Sequence, residues 1–193
     1  ELPLICEHIE VPVQSGNNTV LQNMRRSYTA EQYRRLIDRI REYMPSGSIA
    51  CDVIVGFPGE SEAQYQDTYD LLGELKLDKV HIAKYSSRPG TVSARRMVDD
   101  VPADEKERRR ATLDDLQAEI LVDINNRLLG ERVQVLVDGF HRGKWRGRTR
   151  TNKLVFFEDE REHTGELVDV DITWAGPWSL QGCLHDAYVE QTP

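Results

Sequence analysis

The 193-residue sequence has only three cysteines, Cys6, Cys51 and Cys183, and no two of them are close together. An odd number at such separations excludes a disulfide framework and fits reduced thiols in a cytoplasm. It also lacks the tight spacing of a zinc or iron-sulfur ligand set, so each cysteine is read as a small buried hydrophobe. Long apolar runs are missing too. None approaches the roughly 18 residues that span a bilayer, so no membrane partner is expected. The opening segment, ELPLICEHIE, has neither a basic region nor a long apolar core and is not a secretory signal. His8, His81, His141, His163 and His185 show no ligand spacing and are read as structural or exposed. A formal net charge of −8 argues at first against a nucleic-acid partner. The charge is unevenly spread, however. Residues 140–154 carry Arg142, Lys144, Arg146, Arg148, Arg150 and Lys153 and no acid, and local charge decides a partner more than the total does.

What is present is organised around residues 48–62, SIACDVIVGFPGESE. Its β-branched apolar run predicts a strand covered on both faces, running into a Gly-Pro-Gly turn that opens a helix. Gly56 and Gly59 permit turns closed to other residues and close approach of a ligand. Ser61 with Gln64 predicts a capping box. Before this, HIEVPV at residues 8–13 alternates as a strand and ends in the polar turn Gln14-Ser15-Gly16. A short helix follows, with Val20, Leu21 and Met24 inward. The next helix is capped by Thr29 and Gln32 and has Tyr33, Leu36, Ile37, Ile40 and Met44 as its stripe. After the central strand, a helix over about 62–75 turns Tyr65, Tyr69, Leu72 and Leu75 inward, and KVHIAKYSS at 79–87 is a further strand.

Strands alternating with helices predict βαβ units and a parallel sheet, whose ligands sit beyond the carboxyl ends of the strands. The three polar turns, at 14–16, 56–60 and 86–91, fall there. Three strands do not close a barrel, and residue 1 begins almost on a strand, so the sheet is expected to be truncated at its N-terminal side. A charged crossover then leads to a helix over about 104–128, with Leu113, Leu116, Ile120, Ile124 and Leu128 as its stripe and Gly130 at its end. Beyond it the period changes to two. About five short strands, the last at 179–189, predict a small antiparallel barrel of the oligonucleotide-binding (OB) kind. The fold class is therefore α/β, a partial (βα) barrel over 1–126 followed by an OB-like β-barrel over 127–193.

The basic run 140–157 interleaves Phe140, Trp145, Phe156 and Phe157 with its cations, as single-stranded RNA binding needs, although a solvated edge strand would look similar. Phe156 and Phe157 straddle both faces, so at least one belongs to the core. Asp52, inside an apolar strand, needs either a neighbouring Arg or a ligand hydroxyl. Arg26 and Arg88 could grip a ligand carboxylate or make surface pairs.

Together, HIEVPVQSGNNTVLQNMRRSYT, DVIVGFPGESE and YSSRPGT resemble the second half of a radical S-adenosylmethionine (SAM) methylthiotransferase. The tail, with VQVLVDG, GRTRTNKLVFF and TGELVDVDITWAGPWSLQG, resembles the TRAM domain that follows it. GRTRTNKLVFF and SLQG are more similar to the tRNA-modifying branch than to the branch acting on a ribosomal protein. The resemblance implies a partial radical SAM barrel and an enzyme that places a methylthio group on C2 of an N6-isopentenyl-type adenosine beside the tRNA anticodon. It further implies SAM, 4Fe-4S clusters and a reductant protein. By position it implies SAM contacts for Gln14, Ser15, Asp52, Ile54, Gly56 and Glu60, with Arg26, Tyr85, Ser86 and Arg88 at the mouth of the same site. It implies RNA contacts along Arg142, Lys144, Trp145, Arg146, Arg148, Arg150 and Lys153.

The departure from that family is the absence of its Cys-x3-Cys-x2-Cys motif and of the three cysteines of a still earlier domain. The cluster ligands are expected outside this chain, which is expected to be a C-terminal fragment with no chemistry of its own. Two other readings stand beside this one. The first is a free-standing RNA-binding protein without catalysis, and the second a methylthiotransferase acting on a ribosomal-protein aspartate.

Overall fold

The structure, a computed structural model, describes residues 5–185. The expected strand start at residue 1 and the end of the last expected strand, 186–189, lie outside the described residues. Contacts divide the chain into two units, Ile9–Ile120 on the one hand and Glu1–His8 with Leu121–Pro193 on the other.

In chain order, β1 (His8–Glu10) leads to α1 (Asn18–Asn23), where the Asn17 side chain accepts from the amides of Thr19 and Val20. Then come α2 (Ala30–Tyr43), β2 (Ser48–Val55), α3 (Glu62–Leu75), β3 (Lys79–Lys84), α4 (Val92–Arg96) and α5 (Ala103–Asn126). Both expected capping boxes form, Thr29 with Gln32 on α2 and Ser61 with Gln64 on α3. Each fills two amides that the first helical turn leaves without a partner. The sheet order is β1-β2-β3, with β2 and β3 parallel and Asp52 opposite His81. Beyond β1 the chain stays beside β2, through a parallel bridge of Gln14 to Val53.

The pleat of β2 sorts its side chains. Ile49, Cys51, Val53 and Val55 pack with Tyr33, Ile37, Tyr65, Leu72, Leu75 and Leu113 in one core. On the opposite face Ser48 and Ala50 are buried but Asp52 and Ile54 only half-buried, so β2 is covered on both faces in its first half and opens on one face in its second. Leu36 leaves its expected stripe at 43% exposure, whereas Leu71, outside the expected stripe of α3, is fully buried. β3 ends at Lys84, three residues before the expected end. α4, capped by Thr91, is too short at five residues to leave a periodic signal, and the sequence assigns residues 92–96 to no element.

The second unit is a closed five-stranded barrel in the order β4-β5-β6-β8-β7. Its strands are β4 (Arg132–His141), β5 (Lys144–Thr149), β6 (Leu154–Glu158), β7 (Leu167–Ala175) and β8 (Leu180–Leu184). All neighbouring pairs are antiparallel except β6 and β8, which close the barrel in parallel. Val135, Val137, Trp145, Val155, Phe157, Val170, Ile172 and Leu180 fill it, with Leu128 packed against them. At Gly147 a Cβ would stand 2.3 Å from the Leu136 carbonyl oxygen, so β4 and β5 approach there only because residue 147 has no side chain.

Candidate functional site

A cavity of about 730 Å³ opens along the carboxyl halves of β2 and β3. That size suits a small-molecule ligand. Gln14, Arg26, Asp52, Ile54, Tyr85, Ser86 and Arg88 line it, so seven of the ten expected cofactor contacts meet on one surface. Met24, Phe57 and His81 join them, none of which was expected from the sequence. Gln14 has the most constrained position. It adopts φ of 73°, is 7% exposed, and its backbone donates to the Asp52 oxygen and accepts from the Ile54 amide. Its side-chain amide has no hydrogen-bond partner among the described residues, and a left-handed backbone at a residue other than glycine costs about 1–3 kcal/mol. A side-chain amide without a protein partner, on a residue held in a strained conformation at a cavity wall, suits a ligand contact.

Ser15, Gly56 and Glu60, the other three expected contacts, do not line the cavity. Ser15 is fully buried, within 3.3 Å of the Thr68 hydroxyl, and it accepts from the Asn17 amide. Glu60 turns inward, where its carboxylate accepts from the Gly56 amide at 2.5 Å and from Arg109 at 2.9 Å, with side-chain exposures of 1% and 5%. Burial raises the Glu60 pKa more than the Gly56 amide and Arg109 lower it. Arg109 also donates to the Glu60 carbonyl and to Glu105. Hydrogen bonds from Arg108 and then Arg109 hold Glu105 down to about 2. Gly56, at φ of 70°, faces Lys106, whose Cγ would be 2.3 Å from an added Cβ. The Lys106 ammonium in turn pairs with Asp99 and lies over the Tyr85 ring, and Tyr85 meets Phe57 edge to face at 5.2 Å. These residues therefore brace the turn and one wall of the cavity from behind.

The cysteines do not fit an iron-sulfur cluster. Cys51 is buried in the core, where burial pushes its thiol up to about 12, and a ligand must be a thiolate. Cys6 and Cys183 are exposed, and no three cysteines converge among the described residues.

On the barrel, the basic run divides by the period of the strand. Trp145, expected to stack on RNA, is instead 6% exposed in the barrel core, its indole donating to the Asp159 carbonyl. The alternation of β5 turns Trp145, Gly147 and Thr149 inward and Arg146 and Arg148 outward. Several of the cations are paired: Arg146 with Asp138, Lys144 with Glu158 and Arg150 with Glu7. Arg148 donates to the Asn152 carbonyl, a partner without charge. Arg142, in the β4–β5 turn at φ of 51°, is exposed, and Lys153 is half-buried in the β5–β6 turn. Phe157 is core, whereas Phe156 is half-buried opposite Arg146. Gln181 stands next to Phe156 and Trp174 next to Gln181, which makes an outer row across β5, β6, β8 and β7. Simple alternation would bury Trp174. The bulge between Ile172 and Trp174 turns it outward to 47% exposure.

Residues 2–72 match the Radical SAM superfamily and residues 126–184 the TRAM domain. The tRNA-2-methylthio-N(6)-dimethylallyladenosine synthase of Roseiflexus sp. (strain RS-1) is 50% identical, over 95% of this chain and 39% of its own length. The protein of the same name from Chloroflexus aurantiacus is 49% identical, over 94% of this chain and 40% of its own. That from Dehalococcoides mccartyi (strain CBDB1) is 47% identical, over 95% and 44%. Among solved structures, the coproporphyrinogen III oxidase of Escherichia coli, described as a radical SAM enzyme, aligns at 23% identity with a TM-score of 0.48 over 57% of this chain and 27% of that one. The chain spans about two fifths of the length of the curated relatives it matches.

Proposed function

We propose that this chain is the C-terminal part of a cytoplasmic radical SAM tRNA methylthiotransferase, with its domain boundary at the end of α5, near residue 126. The whole enzyme would add a methylthio group to C2 of an N6-isopentenyl-type adenosine beside the anticodon. The observation that carries this reading is the cavity wall at Gln14, a left-handed residue at 7% exposure whose side-chain amide has no protein partner, inside the segment that matches the radical SAM family.

The chain's own residues would divide the binding of SAM by their chemistry. Gln14 and Ser86 offer hydrogen bonds, and Asp52 offers an acceptor for a hydroxyl. Arg26 and Arg88 offer guanidinium forks for a carboxylate, while Ile54 and Phe57 offer apolar surface. When bound, SAM supplies the adenosyl radical and the methyl group. Glu60, Arg109 and Lys106 hold the wall in place and touch no ligand. Clusters and a reductant protein would be served by other parts of the whole protein, since the cysteines here do not fit as ligands. The barrel would hold tRNA through Arg142, Arg148 and the row that includes Phe156 and Trp174.

The test is deletion of the gene, with mass spectrometry of tRNA nucleosides and of ribosomal proteins. The expected result is loss of the methylthio group from the isopentenyl-type adenosine. Loss from a ribosomal-protein aspartate instead would assign the other branch. No change in either would leave an RNA-binding protein without catalysis and end the enzyme reading.

A further inference from the structure

Glu10, Asp52 and His81 are far apart in sequence, yet each can place one ligand atom within 4.8 Å of those of the other two. Strand register brings them together. Asp52 lies opposite His81 across β2 and β3, and β1 is the other neighbour of β2. The three form one row on the sheet face opposite the core side chains Cys51 and Val53, and Asp52 and His81 border the cavity. No side chain of the three has a hydrogen bond or ion pair among the described residues. Two carboxylates held side by side without a partner repel one another, and an ion between them removes that repulsion.

We propose that Glu10, Asp52 and His81 bind a divalent cation of the first transition row. Donors lie about 2.0–2.2 Å from such an ion, so small rotations of these side chains bring the three atoms to bonding distance. Two carboxylate oxygens and one imidazole nitrogen suit zinc, iron or manganese better than copper(I), which prefers sulfur. Three protein ligands leave coordination positions open, on the side where Asp52 and His81 border the cavity. A carboxylate has two oxygens, so Asp52 can bind the ion with one and keep the other for a ligand. All three donors belong to this chain, so the site does not depend on whether the cavity takes SAM.

The test is titration of this chain with Co²⁺, followed by its visible absorption, and with Zn²⁺ by calorimetry. Cys6→Ser and Cys183→Ser are introduced first to remove exposed thiols that also bind these ions. One equivalent per chain is expected, and affinity should fall at least tenfold in Asp52→Asn and in His81→Gln, with circular dichroism unchanged. His81 is exposed, so His81→Gln carries the test should Asp52→Asn fail to fold. The absence of stoichiometric binding, or binding that neither substitution weakens, would overturn the site.

Discussion

Glu60 and Arg109 form a pair of charges almost removed from water, at 1% and 5% side-chain exposure. A buried ion pair adds little net stability over a well-packed apolar pair, but losing one member leaves the other charge uncompensated. Arg109→Met should therefore lower the unfolding free energy by about 3–5 kcal/mol, because it strands the Glu60 carboxylate. The same change in a Glu60→Gln background should cost much less, since the stranded group is then neutral. Urea unfolding of the four proteins measures this coupling. Equal losses in both backgrounds would mean that Arg109 acts by packing alone. The sequence places Glu60 in the correct turn but on the wrong side of it. Position in a βα loop shows that a side chain is close to a site, whereas its direction depends on Arg109, 49 residues later on α5. Cys51 was legible as a buried hydrophobe, because the strand around it is apolar on every alternate residue. Cys6 and Cys183, read the same way, are exposed.

At the scale of elements, the segment between β6 and β7 encloses His163. The ring lies between Glu166, 2.7 Å from Nδ1, and Asp159, 3.1 Å from Nε2, with Trp145 and Phe157 edge-on at 5.7 Å each. Burial lowers the His163 pKa, but hydrogen bonds and charge from Glu166 and Asp159 outweigh it, and the folded value rises above the ordinary 6.5. A raised folded pKa contributes stability in full below the unfolded value and loses it as pH climbs through the folded one. The advantage of the native chain over His163→Gln in thermal unfolding should thus be greatest near pH 6 and shrink toward about pH 8. A difference that is flat or grows with pH would contradict it. The sequence leaves His163 as structural or exposed, and at 5% exposure it is structural. Elements written in local chemistry were legible. Thr29 with Gln32 and Ser61 with Gln64 are short-range signals, and both helices start where those signals fall. What depends on pairing between strands was not legible. Neither the outward turn of Trp174 at a bulge nor the row of Glu10, Asp52 and His81 leaves a trace in spacing along the chain.

For the whole molecule, the question is how a chain of net charge −8 holds a polyanion, as the proposed function requires. Proximity of opposite charge decides it. Arg146, Lys144 and Arg150 each have an acidic partner within 3.1 Å, so part of their field is already neutralised. Each must give up that pair before it can bind a phosphate. Arg148 is bonded to a carbonyl and has no such competitor. Its neighbours on the barrel surface, Leu136 and Leu154, are apolar, which leaves its charge unopposed locally. The basic run therefore acts through fewer cations than its six residues suggest. Binding of a tRNA anticodon stem-loop, measured from about 50 to 200 mM salt, should lose about 0.7 of its log-log slope in Arg148→Gln, as expected for one phosphate contact on a single strand. Arg146→Gln should change the slope by less than half as much, since Arg146 is already paired with Asp138 and must give up that pair to bind a phosphate. Trp145→Phe, although inside the run, should leave the slope unaltered and lower barrel stability instead, because its indole is a core group. Equal slopes for the native chain and Arg148→Gln would show that this face of the barrel does not carry the RNA.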